Sequence, residues 1–197
     1  NLYMDELVPY LLACGFEVRR NPKDRTGDRL KEAIAESNAW GADLHYVAHT
    51  NAGGGSYSLL MVYDQGTAYG YAEKLAARRR EVYSGSVKIQ VQPQWAELQQ
   101  TVAPAIYDEM LFHDNVQDIT WFHGHLREMA EATAKAICDM FGMAFVDPYA
   151  KPAEPESPAG NIWYRVQVGA FREKANADRL CEELKAKGYA AFVKAGE

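Results

Sequence analysis

Two side chains stand where a strand would hand them to a cleft. His49 closes the run Ala42 to His49 and leads directly into Thr50-Asn51-Ala52-Gly53-Gly54-Gly55. An imidazole at the carboxyl end of a strand, beside a glycine loop, can bind a metal or act as a base; it can equally cap the strand by hydrogen bonding. Glu109 ends a second run, Ala105-Ile106-Tyr107-Asp108. A carboxylate there can take the proton of an attacking water, or can be a strand-end charge facing solvent. Asp108 projects to the opposite sheet face, so the adjacent acids do not work as a pair. The polar stretch Phe112-His113-Asp114-Asn115 that follows suits a cleft rim.

Other arrangements fail on spacing. His45 and His49 lie ~13 Å apart along one strand face, too far for two ligands of one zinc ion at ~2.0–2.1 Å each, so His45 is read as structural. His123 and His125, flanking Gly124 at a helix start, are read as exposed. The glycine loop lacks the Lys-Ser/Thr of a phosphate cradle and precedes a strand. No Gly-x-Ser-x-Gly elbow occurs. The three cysteines, Cys14, Cys138 and Cys181, contain no Cys-x-x-Cys pair and lie in apolar helical patterns. They read as small buried hydrophobes and suit synthesis in a reducing compartment.

The elements that must position His49 and Glu109 alternate between the two periodicities. Helical spacing covers Leu2–Cys14, interrupted by Pro9 and ended by Gly15, then Leu30–Trp40 before Gly41, Thr67–Arg80 and Gly124–Phe141. Strand patterns cover Phe16–Val18, Ala42–His49, Leu59–Tyr63, Val87–Val91 and Ala105–Met110. The near-continuous apolar character of 42–49 suits a strand buried inside a parallel sheet. The alternation predicts an α/β fold: a mostly parallel, mixed twisted sheet with helices on both faces and its site beyond the carboxyl strand ends. Four prolines in residues 147–160 mark an extended linker. It divides a larger region, 1–146, from a tail, 161–197, whose pattern is β-α-β.

Composition narrows the class. The 197 residues are 48% apolar and carry a net charge of −6, ordinary values for a globular chain. The acidic balance argues against a nucleic-acid partner. No run approaches the ~20 apolar residues of a membrane span. The basic run Arg78-Arg79-Arg80 is read as a solvated helix end. The chain starts at Asn1 in the middle of a helical pattern, so a front truncation is expected and no signal peptide is visible.

Several segments in order resemble the zinc-dependent N-acetylmuramoyl-L-alanine amidases. They are Gly15-Phe16-Glu17-Val18-Arg19-Arg20, Asn38-Ala39-Trp40-Gly41-Ala42-Asp43-Leu44, His49-Thr50-Asn51-Ala52, Glu97 to Ala105, and Glu109-Met110-Leu111-Phe112-His113-Asp114-Asn115. Leu111 departs from the family, which usually has Gly there. The resemblance implies hydrolysis of the amide between N-acetylmuramic acid and L-alanine in peptidoglycan. It implies zinc, with His49 as a ligand, a second His and a Glu expected before Asn1, and Glu109 as the catalytic base. Asn51 and Asn115 are the expected substrate contacts. The tail, with Val166-Gln167-Val168-Gly169-Ala170-Phe171, a helix Lys174–Lys187 and Gly188 to Val193, resembles half of a ferredoxin-like SPOR domain. That implies binding to glycan strands without stem peptides, with Gln167 on the binding surface. The implied place of action is the cell wall, reached by secretion or by release on lysis. The alternative reading is an inactive amidase-like domain that binds peptidoglycan or regulates.

Overall fold

The computed structural model describes residues 2–20, 29–150 and 166–195. The chain divides into two units, 1–150 and 151–197. In the first, α1 (Leu2–Ala13) runs through Pro9 and buries Tyr3, Leu7, Tyr10 and Leu11, whereas the apolar Leu2 and Leu12 stay exposed. Then come α2 (Leu30–Trp40), β1 (His45–Asn51), β2 (Ser58–Val62), α3 (Thr67–Val82), β3 (Val87–Val91), α4 (Ala96–Gln100), β4 (Ala105–Phe112), α5 (Val116–Gly124) and α6 (Leu126–Phe141). Gly41 ends α2 at φ 70°, its N–H closing onto Ser37 and Asn38 carbonyls; a side chain would strain that left-handed cap.

The four strands lie in the order β1-β4-β2-β3. β1 runs parallel to β4 and β2 parallel to β3, while β2 and β4 are antiparallel. The expected mixed α/β sheet is therefore present. One face carries most of the core: Leu60, Val62, Ile106 and Met110 pack with α1, α3 and α6 through Leu7, Leu75, Met129, Ala134 and Ile137. The other face is covered more thinly. There Leu59, Met61 and Ala105 pack under Leu98 of α4, with Tyr57, Trp95 and Tyr107 around them. The helices on both faces are thus unequal layers.

Several expectations are corrected. Phe16–Val18 forms no strand among the described residues; Phe16 and Val18 pack against the core instead. β1 begins at His45 rather than Ala42 and is a half-buried edge strand, not an interior one. The run at the end of α3 is not uniformly solvated: Arg79 is 1% exposed, because α3 lies across the sheet and turns that side chain inward onto Asp108. The short helices α4 and α5 were not anticipated; α5 starts where Asn115 accepts from the N–H groups of Gln117 and Asp118.

In the second unit, α7 (Lys174–Ala186) stands where a helix is expected. The flanking segments, 166–171 and 189–195, form no strands among the described residues. Val166, Val168, Tyr189 and Phe192 are exposed there. Two isolated strand segments without a wider sheet are marginal in water. The Pro-rich segment 151–160 lies outside the described residues.

Candidate functional site

The parallel pairing of β1 and β4 decides where the two chemical side chains meet. His49 stands opposite Glu109 in the register, followed by an irregularity before the Asn51–Phe112 pair. Directly opposed residues project to the same face. The His49 Nδ1 accordingly lies 3.5 Å from Glu109 Oε2. The imidazole is 57% exposed and the carboxylate only 8%. Oε2 of Glu109 is buried without a hydrogen-bond partner. Burial raises the Glu109 carboxyl above its ordinary range, with the nearby His49 charge opposing that shift. The result is a nearly buried carboxylate with a free oxygen, beside an accessible imidazole.

The rim is built from two loops fastened together. Asp114 Oδ2 accepts from the N–H groups of Gly53 and Gly54 at 2.7 and 3.0 Å. These glycines sit at φ 113° and 72°, where other residues would be strained. Asn115 donates from Nδ2 to the Gly55 carbonyl at 3.0 Å, and Ser56 donates to Asp118 at 2.6 Å. The glycine loop is thereby tied to the start of α5, and the N–H of His113 reaches the Asn51 carbonyl at 2.9 Å. Thr50 Oγ1 and His113 Nδ1 lie 3.2 Å apart on the same rim.

The face below the pair is aromatic. Tyr107, opposite Val47, has its ring 5.5 Å from that of His49, and Trp95 meets Tyr107 edge-on at 4.7 Å. Burial pushes the Tyr107 phenol up to about 12, with Glu109 and Glu97 adding to the shift, so it stays a neutral hydroxyl. Further along β1, His45 Nε2 lies 3.7 Å from Glu97 and its side chain is mostly buried, in keeping with a structural role.

The other named residues fall as follows. Asn51 is half-buried and its side chain accepts from the Ala52 N–H at 2.8 Å. The Asn115 amide is engaged on both sides, by the α5 cap and by Gly55, and so shapes the rim. Gln167 belongs to the second unit, where its amide reaches the Gly169 carbonyl at 3.2 Å. Asp108 points away from the site, into the core. Cys14, Cys138 and Cys181 are free and buried, as expected; Cys14 and Cys138 approach one another, and burial pushes the Cys138 thiol up to about 12.

One residue of this face escaped the sequence reading. Lys88 lies on the same sheet face, its ammonium 3.7 Å from the centre of the Tyr57 ring. A lone lysine in a Val-Lys-Ile-Gln-Val strand carries no signal, because its relation to Glu109 depends on strand order.

Relatives of this chain are enzymes of one kind. Over 181 residues it is 27% identical to CwlM, an N-acetylmuramoyl-L-alanine amidase of Bacillus licheniformis; the match covers 86% of this chain and 64% of that protein. A sporulation-specific N-acetylmuramoyl-L-alanine amidase of Bacillus subtilis matches at 27% identity over 176 residues, with the same coverage. The chain thus spans 64% of the length of the curated relatives it matches. Among solved structures, the catalytic domain of CwlV, an N-acetylmuramoyl-L-alanine amidase from Bacillus (Paenibacillus) polymyxa var. colistinus, superposes with a TM-score of 0.63 at 14% identity. That superposition covers 73% of this chain and 82% of that one, and it shows the fold. Residues 131–195 match the SPOR domain family, a stretch that opens within α6 and continues through α7. The chain is therefore a relative of the N-acetylmuramoyl-L-alanine amidases, with the α/β fold of their catalytic domains and a SPOR match in its last third.

Proposed function

We propose that this chain serves a peptidoglycan hydrolase that cuts the amide between N-acetylmuramic acid and L-alanine at the cell wall. The observation that carries the reading is the opposition of His49 and Glu109, with Oε2 of the nearly buried carboxylate left without a hydrogen-bond partner. Glu109 is the base: Oε2 accepts a proton from the attacking water and gives it to the departing amine nitrogen. Burial favours the first step, because a carboxylate whose pKa is held above its ordinary range is the stronger base. Asn51, at the rim, contacts the substrate, and Gln167 contacts glycan strands from the SPOR segment. The relatives' names support the bond that is cut.

Zinc dependence belongs to the same proposal. Bound zinc would polarise the scissile carbonyl and acidify water. A catalytic site normally gives it three protein ligands. His49 is the ligand assigned here. Among the described residues no three His, Cys, Asp or Glu side chains come together, so these residues do not hold the ion by themselves. Calorimetric titration of the 1–197 polypeptide with zinc is accordingly expected to show no tight stoichiometric site. One-to-one binding in the nanomolar range would contradict this.

The test of the function is release of dye from stained, purified cell walls by the full-length protein, followed by end-group analysis. Amidase action exposes new L-alanine amino termini. Sedimentation with walls but no release would abandon the enzyme for a wall-binding protein.

A further inference from the structure

The strand register places a cation in line with the reacting pair. Glu109 of β4 stands opposite Leu59 of β2, and Leu59 stands opposite Lys88 of β3. With His49 opposite Glu109, one row crosses the whole sheet: imidazole, carboxylate, leucine, ammonium. All four side chains leave on the same face. Neighbouring strands are ~4.8 Å apart, so the Lys88 backbone lies about 10 Å from that of Glu109. The next row repeats the pattern, with Tyr107, Met61 and Gln90.

Lys88 is exposed and forms no ion pair among the described residues, although the chain carries six more negative than positive charges. Its ammonium is held over the Tyr57 ring at 3.7 Å, and that ring in turn packs edge-on against Phe112 at 4.8 Å. Tyr57 also packs against the small cluster that contains Leu59, the residue between Glu109 and Lys88. A positive charge is thus positioned by an aromatic ring at the far end of the row, with no carboxylate paired to it among the described residues.

We propose that Lys88 is an anion subsite that recognises a carboxylate on the stem peptide, on the second residue beyond the scissile amide. An extended peptide advances ~3.3–3.6 Å per residue, so two residues cover about 7 Å. That span, with the reach of a lysine side chain, brings such a carboxylate from Glu109 to the ammonium across the Tyr57 ring. The assignment rests on the amidase reading of the His49–Glu109 pair. It predicts preference for wall peptides bearing a free carboxylate at that position over peptides with a carboxamide there.

Binding and cleavage separate the two readings. Two soluble N-acetylmuramoyl tripeptides, differing only in a carboxylate or a carboxamide on the second residue, are titrated onto the full-length protein carrying Glu109→Gln to prevent turnover. The carboxylate form is expected to bind about five-fold tighter, near the upper end for exposed ion pairs. Adding Lys88→Gln should abolish that preference, and Lys88→Arg should retain it. Equal binding of both peptides, no binding of either, or a preference that survives Lys88→Gln would overturn the subsite. Cleavage of the same peptides by the unsubstituted protein tests the amidase reading separately. A Lys88-dependent preference without any cleavage would sink that reading and leave the subsite standing.

Discussion

Glu109→Gln is expected to lower dye release from purified walls by roughly 10²–10⁴-fold while leaving the protein folded, the range over which a positioned general base contributes. The change is nearly isosteric and removes only the ability to take and return a proton. Stability should hold or rise slightly. The carboxylate it replaces is nearly buried, its Oε2 has no hydrogen-bond partner, and burial already disfavours its charged form. A group that costs stability where it stands, beside an accessible imidazole, is the kind that function retains. His49→Ala should cost activity to a comparable degree. Circular dichroism melting would verify the fold of both variants. Retention of more than a tenth of parental release by Glu109→Gln would remove Glu109 from the reaction.

Much of this site could be read before any coordinates. The helix periodicity of α6 is strong, α2 and α6 end at glycines and α3 after a basic turn, and β2, β3 and β4 are short apolar or alternating runs. The strands run further than the sequence suggests, to Asn51 and Phe112, so His49 and Glu109 lie in their carboxyl halves rather than closing them. Their contact needed one further fact, that β1 and β4 are parallel neighbours although β2 and β3 lie between them in the chain. Strand order is a long-range property, and local pattern does not encode it. The same gap hid Lys88, which joins the site only through two successive strand pairings. α5 was hidden for a local reason: its cap residue Asn115 belongs to the polar stretch 112–115 read as a rim, and the helix it starts is only nine residues long, with Asp118 and Phe122 buried. In the tail, the alternation around Val166 and Val168 matches a strand, yet alternation alone supplies no partner edge.

Arg79 shows the same point with the largest energetic consequence. Its guanidinium forks onto both oxygens of Asp108 and donates to Ser58 Oγ at 2.7 Å. Tyr46 donates its hydroxyl to the same carboxylate, and Tyr3 lies next in the network, donating to Thr133 at 2.7 Å. The network joins α3, the three strands β1, β2 and β4, α1 and α6. Arg79 is 1% exposed and Asp108 0%. Burial alone would lower the pKa of the guanidinium, but the Asp108 charge and hydrogen bonds raise it above its ordinary value, so the arginine is firmly charged. Arg79→Met therefore leaves an uncompensated buried carboxylate and is expected to cost about 3–5 kcal/mol, the usual penalty for breaking a buried pair from one side. For a unit of this size that corresponds to a Tm lowered by roughly 6–20 °C. Arg79→Lys should fall between, keeping the charge but losing the two-pronged geometry. Adding Asp108→Asn to Arg79→Met should recover part of the loss, since the stranded charge is gone while Tyr46 keeps a hydrogen-bond partner. A single substitution that melts within 2 °C of the parent, or a double variant no more stable than Arg79→Met, would mean that the pair does not hold these elements together. Because Asp108 is the residue before Glu109, a stable double variant would also show whether β4 keeps the carboxylate opposite His49 without the ion pair beneath it.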